Sequence, residues 1–220
     1  SGPINAEAFH RHRMFQSQKA SLLNRLLIKV GPEYALNLKR APDLRDACEA
    51  AFGELSKENL IPLRMVQGAL SAYAWQKKGV HIPALPEPIH VRYGVFSPVR
   101  GEYLNLIQAA KLPANTQRAF DIGTGSGVIA AILAQRGVPE IIATDTSADA
   151  IICAAENFAR LKLQHAIRLV QADLFPPQPA LADLIVCNPP WIPARPTSPI
   201  EAAVYDPGNE MLERFLSQVT

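Results

Sequence analysis

Asn188-Pro189-Pro190-Trp191 closes the apolar run DLIVCNPPWIP and removes two backbone donors in succession. Proline is excluded from central strands and confined to edges, ends and bulges, so a strand ends where these prolines begin. One reading is a tight turn, since Asn-Pro is a frequent turn initiator. The other is a stiff, donor-poor backbone that presents acceptors. The Asn188 side-chain oxygen and the Pro189 carbonyl could grip the two N–H groups of an sp² nitrogen, with Pro190 stiffening the pair. Such a grip suits methyl transfer to a carboxamide or an exocyclic amine. It orients the nitrogen and favours its pyramidalisation, with no strong base required. Trp191 could stack on a planar group, worth roughly 1–3 kcal/mol for a base, and its face suits a nearby cation such as a sulfonium methyl donor.

A second constellation lies upstream. DIGTGSG places Gly123, Gly125 and Gly127 directly after the acid Asp121, where an apolar run turns into a helical one. Glycines there allow positive φ and close approach of the backbone, and the helix N-terminus can sit against a ligand's polar groups. Tight strand–helix turns also use glycine for purely structural reasons. Asp145 follows the loop by about the interval at which an acid meets ribose hydroxyls in dinucleotide folds; its bland alternative is a cap for the stretch Ser147–Asp149. In QADLF, Asp173 ends a further apolar run, which puts it at the same carboxyl edge of a sheet. A dinucleotide site shows G-x-G-x-x-G, whereas this chain shows G-x-G-x-G, and the spacing alone leaves both cofactor classes open.

The elements that must position these residues follow from periodicity. RAFDIG (118–123), EIIATD (140–145), IRLVQAD (167–173) and ADLIVCN (182–188) read as short buried strands. Between them, VIAAILAQRG (128–137) and ADAIICAAENFARLK read as helices. Apolar strands without alternation, separated by helices, indicate a parallel sheet covered on both faces: a doubly wound α/β domain over 86–220. Residues 1–85 read as a smaller all-helical domain. Leu22, Leu23, Leu26, Leu27 and Val30 recur at helical spacing, Asp43 is a plausible cap for a second helix, and a third ends near Lys77-Lys78-Gly79. IPALPEP, with three prolines in seven residues, reads as a linker between the two.

Composition excludes several classes. No apolar run approaches the roughly 18 residues of a membrane span. Three scattered cysteines, Cys48, Cys153 and Cys187, form no CxxC pair, which argues against a disulfide framework or zinc knuckle and for a reducing, cytoplasmic setting. His10 and His12 in HRHR read as a solvated basic face, no histidine has metal-ligand spacing, and Ser126 is not in a G-x-S-x-G elbow. Residues 1–90 carry 12 Lys/Arg against 8 Asp/Glu (+4), and residues 91–220 carry 10 against 12 (−2). A mildly basic front half permits a nucleic-acid partner. PARPTSP (193–199) reads as a mobile loop beside the target site.

With DIGTGSG, Asp145, QAD and NPPW in this order, residues 90–220 resemble the class I S-adenosylmethionine-dependent methyltransferases. Within that group they are similar to the amino-methylating members with an Asn/Asp-Pro-Pro-aromatic motif, which act on release-factor glutamine, ribosomal RNA bases or DNA adenine. The resemblance implies a Rossmann-like, mostly parallel sheet, S-adenosylmethionine as cofactor, and a macromolecular substrate presenting an RNA or DNA base or a protein glutamine. It gives Asp121, Gly123, Thr124, Gly125 and Gly127 to the methionine and ribose side, and Asp145 with Thr146 to the ribose hydroxyls. Asp173 falls to the adenine amine, with Leu174 also on the cofactor, Phe96 and Pro98 of RYGVFSP to a segment over the cofactor, and Asn188, Pro189, Pro190 and Trp191 to the target nitrogen, Asn188 touching the cofactor as well. The release-factor enzymes carry a GEPxxYI-like segment where this chain has PEPIHVRYG. Such sheets normally have seven strands; four are read here, so the expectation is a chain lacking the last three. An NAD-type oxidoreductase, which leaves NPPW unexplained, and a non-catalytic binding module on the same fold are the competing readings.

Overall fold

Short apolar runs can satisfy either a helical or a strand period, and the front of the chain settles this differently from its sequence pattern. The computed structural model describes residues 11, 14, 15, 18, 21–99, 101–177, 181–193 and 203–219. Strand β1, Leu27–Val30, pairs antiparallel with β2, Asn59–Pro62, bringing Ile28 opposite Ile61. Ile28 and Val30 are separated by the exposed pair-former Lys29, so alternation wins over the helical spacing once a partner strand is available. Val30, Tyr34, Leu44, Cys48, Ile61, Val66 and Ala69 form the core here. The expected all-helical domain is therefore corrected to a mixed unit. Its helices include Arg45–Phe52, whose Arg45 N–H donates to the Asp43 carboxylate at 3.0 Å, and Leu63–Lys78 as far as Ala74. The chain divides into compact units at Ser1–Ala74 and Trp75–Thr220.

The proline-rich stretch is not a solvated linker. Ile82, Leu85 and Ile89 are buried, and Val80 and Ile89 exchange backbone hydrogen bonds of 2.7 and 2.9 Å. The prolines turn the chain while the apolar residues among and beside them enter the core of the second unit, which is why that unit begins before residue 86.

In that unit β3 (Arg118–Ile122), β4 (Glu140–Asp145), β5 (Ile167–Gln171) and β6 (Leu184–Cys187) form one parallel sheet in the order β5-β4-β3-β6. Both faces are covered, which explains the unbroken apolar runs. Ala119, Ile141, Ala143 and Ile167 meet the helices Glu102–Ala109, Val128–Gln135 and Ala148–Leu161. Phe120, Ile122 and Ile142 alternate to the other face, where Met211 and Phe215 of the helix Glu210–Gln218 pack. β1 and β2 pair with each other and add nothing to this sheet. The strand order reverses between β3 and β6, and the crevice outside the carboxyl ends at such a switch point is where open α/β sheets bind ligands. No helix among the described residues is long and apolar enough to cross a membrane. His10, His12 and residues 194–199 of PARPTSP lie outside the described residues.

Candidate active site

Asp121 lies on β3 on the same face as Ala119 and is fully buried. Its Oδ2 accepts from the Thr124 hydroxyl at 2.6 Å and from the Ala130 N–H at 3.1 Å. Ala130 sits in the first turn of Val128–Gln135, whose N-cap residue Gly127 has no side chain with which to cap. The carboxylate thus satisfies an orphan donor from outside the helix. Gly127 has to be glycine: φ is +82°, and a Cβ would lie 2.6 Å from the Phe158 ring. Gly123 and Gly125 also take positive φ, +73° and +54°, but a Cβ on either would meet nothing within 4 Å. Their freedom serves the turn beside an open space, whereas Gly127 serves packing. Burial raises the Asp121 carboxyl to about 6, against the pull of its Thr124 and Ala130 hydrogen bonds. Its Oδ1 has no hydrogen-bond partner among the described residues.

Asp145 ends β4 and ties the loop to the next helix. Its Oδ2 accepts from the Gly125 N–H and its Oδ1 from the Ser147 N–H, both at 2.9 Å. Ser147 itself caps Ala148–Leu161, accepting from the Ala150 N–H at 3.3 Å. Asp173, beyond β5, pairs with Arg214 at 2.5 Å, and both side chains are about half exposed. The adjoining Leu174 has a φ of +66°, and its carbonyl accepts from the Thr144 hydroxyl at 2.5 Å.

These pieces meet at a cavity of about 410 Å³ at the switch point. Phe96, Gly123, Thr124, Gly125, Asp145, Thr146, Asp173, Leu174, Asn188 and Pro190 line it, all picked out by the sequence. Asp121 and Gly127 are not lining residues; they hold the loop from behind. Pro98, Pro189 and Trp191 do not line it either. Trp191 is 57 % exposed, with its ring edge-on to Phe96 at 6.5 Å between centroids. After the prolines, the N–H groups of Trp191 and Ile192 both donate to the Val204 carbonyl at 3.0 Å. Over the four residues that follow Asn188, the backbone donors are therefore either missing or tied off.

Sequence reasoning missed Tyr103, Asp149 and Met211 in the lining. Asp149 carried a faint signal as an acid in the first turn after the second strand. Tyr103 and Met211 carried none, since each reads as an ordinary apolar position of an amphipathic helix. Burial and the nearby Asp121 charge push the Tyr103 hydroxyl up to about 12, so it is a neutral donor at physiological pH. Three carboxylates, Asp145, Asp149 and Asp173, line the cavity, and among the described residues no Lys, Arg or His does. Such a site favours a cationic ligand that also offers hydroxyl donors.

Residues 88–204 match the family described as "Methyltransferase small domain". The chain is 46% identical over 83 residues to the ribosomal protein uL3 glutamine methyltransferase of Bordetella pertussis, covering 36% of this chain and 28% of that protein. It is 41% identical over 78 residues to the tRNA1(Val) (adenine(37)-N6)-methyltransferase of Parabacteroides distasonis, covering 34% and 33%. To the release factor glutamine methyltransferase of Chlorobaculum tepidum it is 31% identical over 199 residues, covering 84% and 62%. In the first two the match spans about a third of the relative's length or less, and in the third under two thirds.

Proposed function

The chain belongs to the methyltransferase small-domain family, and from that premise we propose that it transfers a methyl group from S-adenosylmethionine to a planar sp² nitrogen of a macromolecule. The observation that carries this reading is the cavity shared by the glycine loop, Asn188 and Pro190, lined by three carboxylates and, among the described residues, by no cationic side chain. That donor set fits the group: carboxylates suit ribose hydroxyls, an ammonium and a sulfonium, and the loop glycines leave open space beside the backbone. Bound there, S-adenosylmethionine supplies a methyl carbon on a positively charged sulfur.

The chain's own part is binding and orientation. Asp145 would take the ribose hydroxyls, keeping its hydrogen bonds to Gly125 and Ser147 as the fixed side of the contact. Asp173 would accept from the adenine amine, with Arg214 holding the carboxylate in place. The Asn188 Oδ1 and the Pro189 carbonyl would accept the two N–H groups of the target. Held by these two acceptors, the nitrogen would keep its lone pair free of their hydrogen bonds and turned toward the cofactor side of the cleft, and its surplus proton would pass to water. Trp191, half open to solvent, would cover the planar face of the target.

The named relatives act on glutamine amides and on an adenine N6 amine, and both present one planar nitrogen with N–H donors. The substrate of this chain is accordingly a protein glutamine or a nucleic-acid base, and three free thiols support a cytoplasmic setting. The test uses Asn188→Ala with methyl-labelled S-adenosylmethionine and cell lysate. Loss of an acceptor that acts on the reacting nitrogen should lower methylation by roughly 10²–10³-fold. Affinity for S-adenosylhomocysteine, read by calorimetry, should stay close to wild type. An unchanged rate would end this mechanism, and cofactor binding without any labelled product would favour a non-catalytic binding module.

A further inference from the structure

Asn157, in the helix Ala148–Leu161, is 1 % exposed and has no place in the mechanism above. Its Oδ1 accepts from the His90 N–H at 2.9 Å, and its Nδ2 donates to the His90 carbonyl at 2.8 Å and to the Ser126 carbonyl at 2.9 Å. One amide thus satisfies both backbone groups of a residue outside any strand, as a neighbouring strand would, and reaches the glycine loop as well. The same helix adds a second tie one residue earlier, where Glu156 accepts from Arg92 at 2.8 Å with both side chains about a third exposed. The Cys153 thiol, one turn back on the same face, also donates to the His90 carbonyl at 3.4 Å. On the adjoining face, Ala154 and Phe158 pack under Gly127. Segment 90–92 and the glycine loop are therefore registered against one helix, and Asn157 is the side chain that bonds to both. Gly94, Val95 and Phe96, which line the cavity, follow directly from that anchored segment.

We propose that Asn157 is a positioning residue for the cofactor cleft, clamping the segment that carries Gly94–Phe96 at a fixed distance from the glycine loop. The proposal rests on the reading of the cavity as a cofactor site. The segment has no strand partner of its own at His90, so without the amide its N–H would lose its acceptor and its carbonyl would keep only the weak Cys153 thiol donor, or the segment would lift away. Lifting would widen the cleft on the Phe96 side and leave the sheet untouched.

The experiment measures hydrogen exchange of the full chain without ligand, and S-adenosylhomocysteine affinity by calorimetry, for wild type, Asn157→Ala and Arg92→Leu. In Asn157→Ala, amides 91–96 should exchange about tenfold faster while those of β4 keep their protection, and affinity should fall about tenfold, the size expected for losing buried hydrogen bonds of this kind. Arg92→Leu cuts only the outer tie and should shift both readings the same way by less. Unchanged exchange at 91–96 overturns the proposal. So does acceleration of β4 by the same factor, which would mean general loosening. If Asn157→Ala does not fold, Arg92→Leu decides by the same readings. A wild-type protein that binds no S-adenosylhomocysteine ends the cofactor reading, and exchange in the unliganded protein still decides the clamp.

Discussion

Asp121 concentrates the chemistry that one residue can carry in this fold. Its carboxyl is raised from the usual carboxylate range to about 6 by burial, because the charged form has lost water and regained only two hydrogen bonds, on one oxygen. A carboxyl whose folded value lies above its unfolded value binds its proton more tightly when folded. Its stabilising contribution is therefore complete below the unfolded value, about 4, and is lost as pH rises through about 6. The tighter hold on that proton is worth something on the order of 3 kcal/mol. Asp121→Asn removes the titration while leaving an acceptor for Thr124 and Ala130. The difference in unfolding free energy, wild type minus variant, should grow in favour of wild type by a sizeable part of that figure as pH falls from about 7.5 to about 4.5. Denaturant titrations at several pH values check this, and a pH-independent difference would show that Asp121 does not bind its proton more tightly in the folded state. The sequence marked Asp121 as an acid before a glycine loop, but its role as an external cap could not be read there. The cap is needed because Phe158, about thirty residues on in the chain, forbids a side chain at Gly127.

At the scale of elements, the three loop glycines are not equivalent, although the sequence presents them as one motif. Gly127→Ala would put a methyl 2.6 Å from Phe158 at a φ of +82°, adding overpacking to a left-handed backbone cost. A loss of about 2–4 kcal/mol is expected. Gly123→Ala meets open space and should lose only about 1–2 kcal/mol, the backbone part. Urea unfolding separates the two, and trimming the ring in Gly127→Ala/Phe158→Leu should return part of the loss; no return would show that the ring is not what excludes a side chain at residue 127. The parallel strands were legible because burial on both faces makes each a continuous apolar run bounded by glycine, acid or proline. Leu27–Val30 was not, because it continues the helical spacing of Leu22 and Leu23, which are helical, and such spacing is also compatible with a strand; the deciding partner, Asn59–Pro62, lies some thirty residues away. IPALPEP misled for a related reason. Proline density signals a turn, yet it says nothing of whether the residues among and beside the prolines are buried, and here Leu85, with Ile82 and Ile89 at the two flanks, is.

For the molecule as a whole, the decisive feature is that each compact unit encloses its own core: Val30, Tyr34 and Leu44 anchor one, while the sheet and its two covered faces make the other. Every lining residue of the cavity belongs to the second unit. Carboxylates and glycines at strand ends made that site readable in sequence, since such residues are out of place in a core. Tyr103 and Met211 escaped because they suit a core equally well. A ligand that binds only the folded state stabilises it by about 2.7 kcal/mol at a hundredfold excess over its Kd. S-adenosylhomocysteine at that excess should therefore raise the thermal midpoint of the full chain. Its protection in hydrogen exchange should concentrate at the glycine loop, Asp145–Ala150 and Gly94–Phe96, where the lining residues lie. Exchange at β1, β2 and the Arg45–Phe52 helix should stay as it is without ligand, because the stabilisation enters through the contacts that the cavity supplies. Equal protection in both units would mean that the cofactor is held by residues outside the cavity described, and the assignment of Asp145 and Asp173 would then have to be given up.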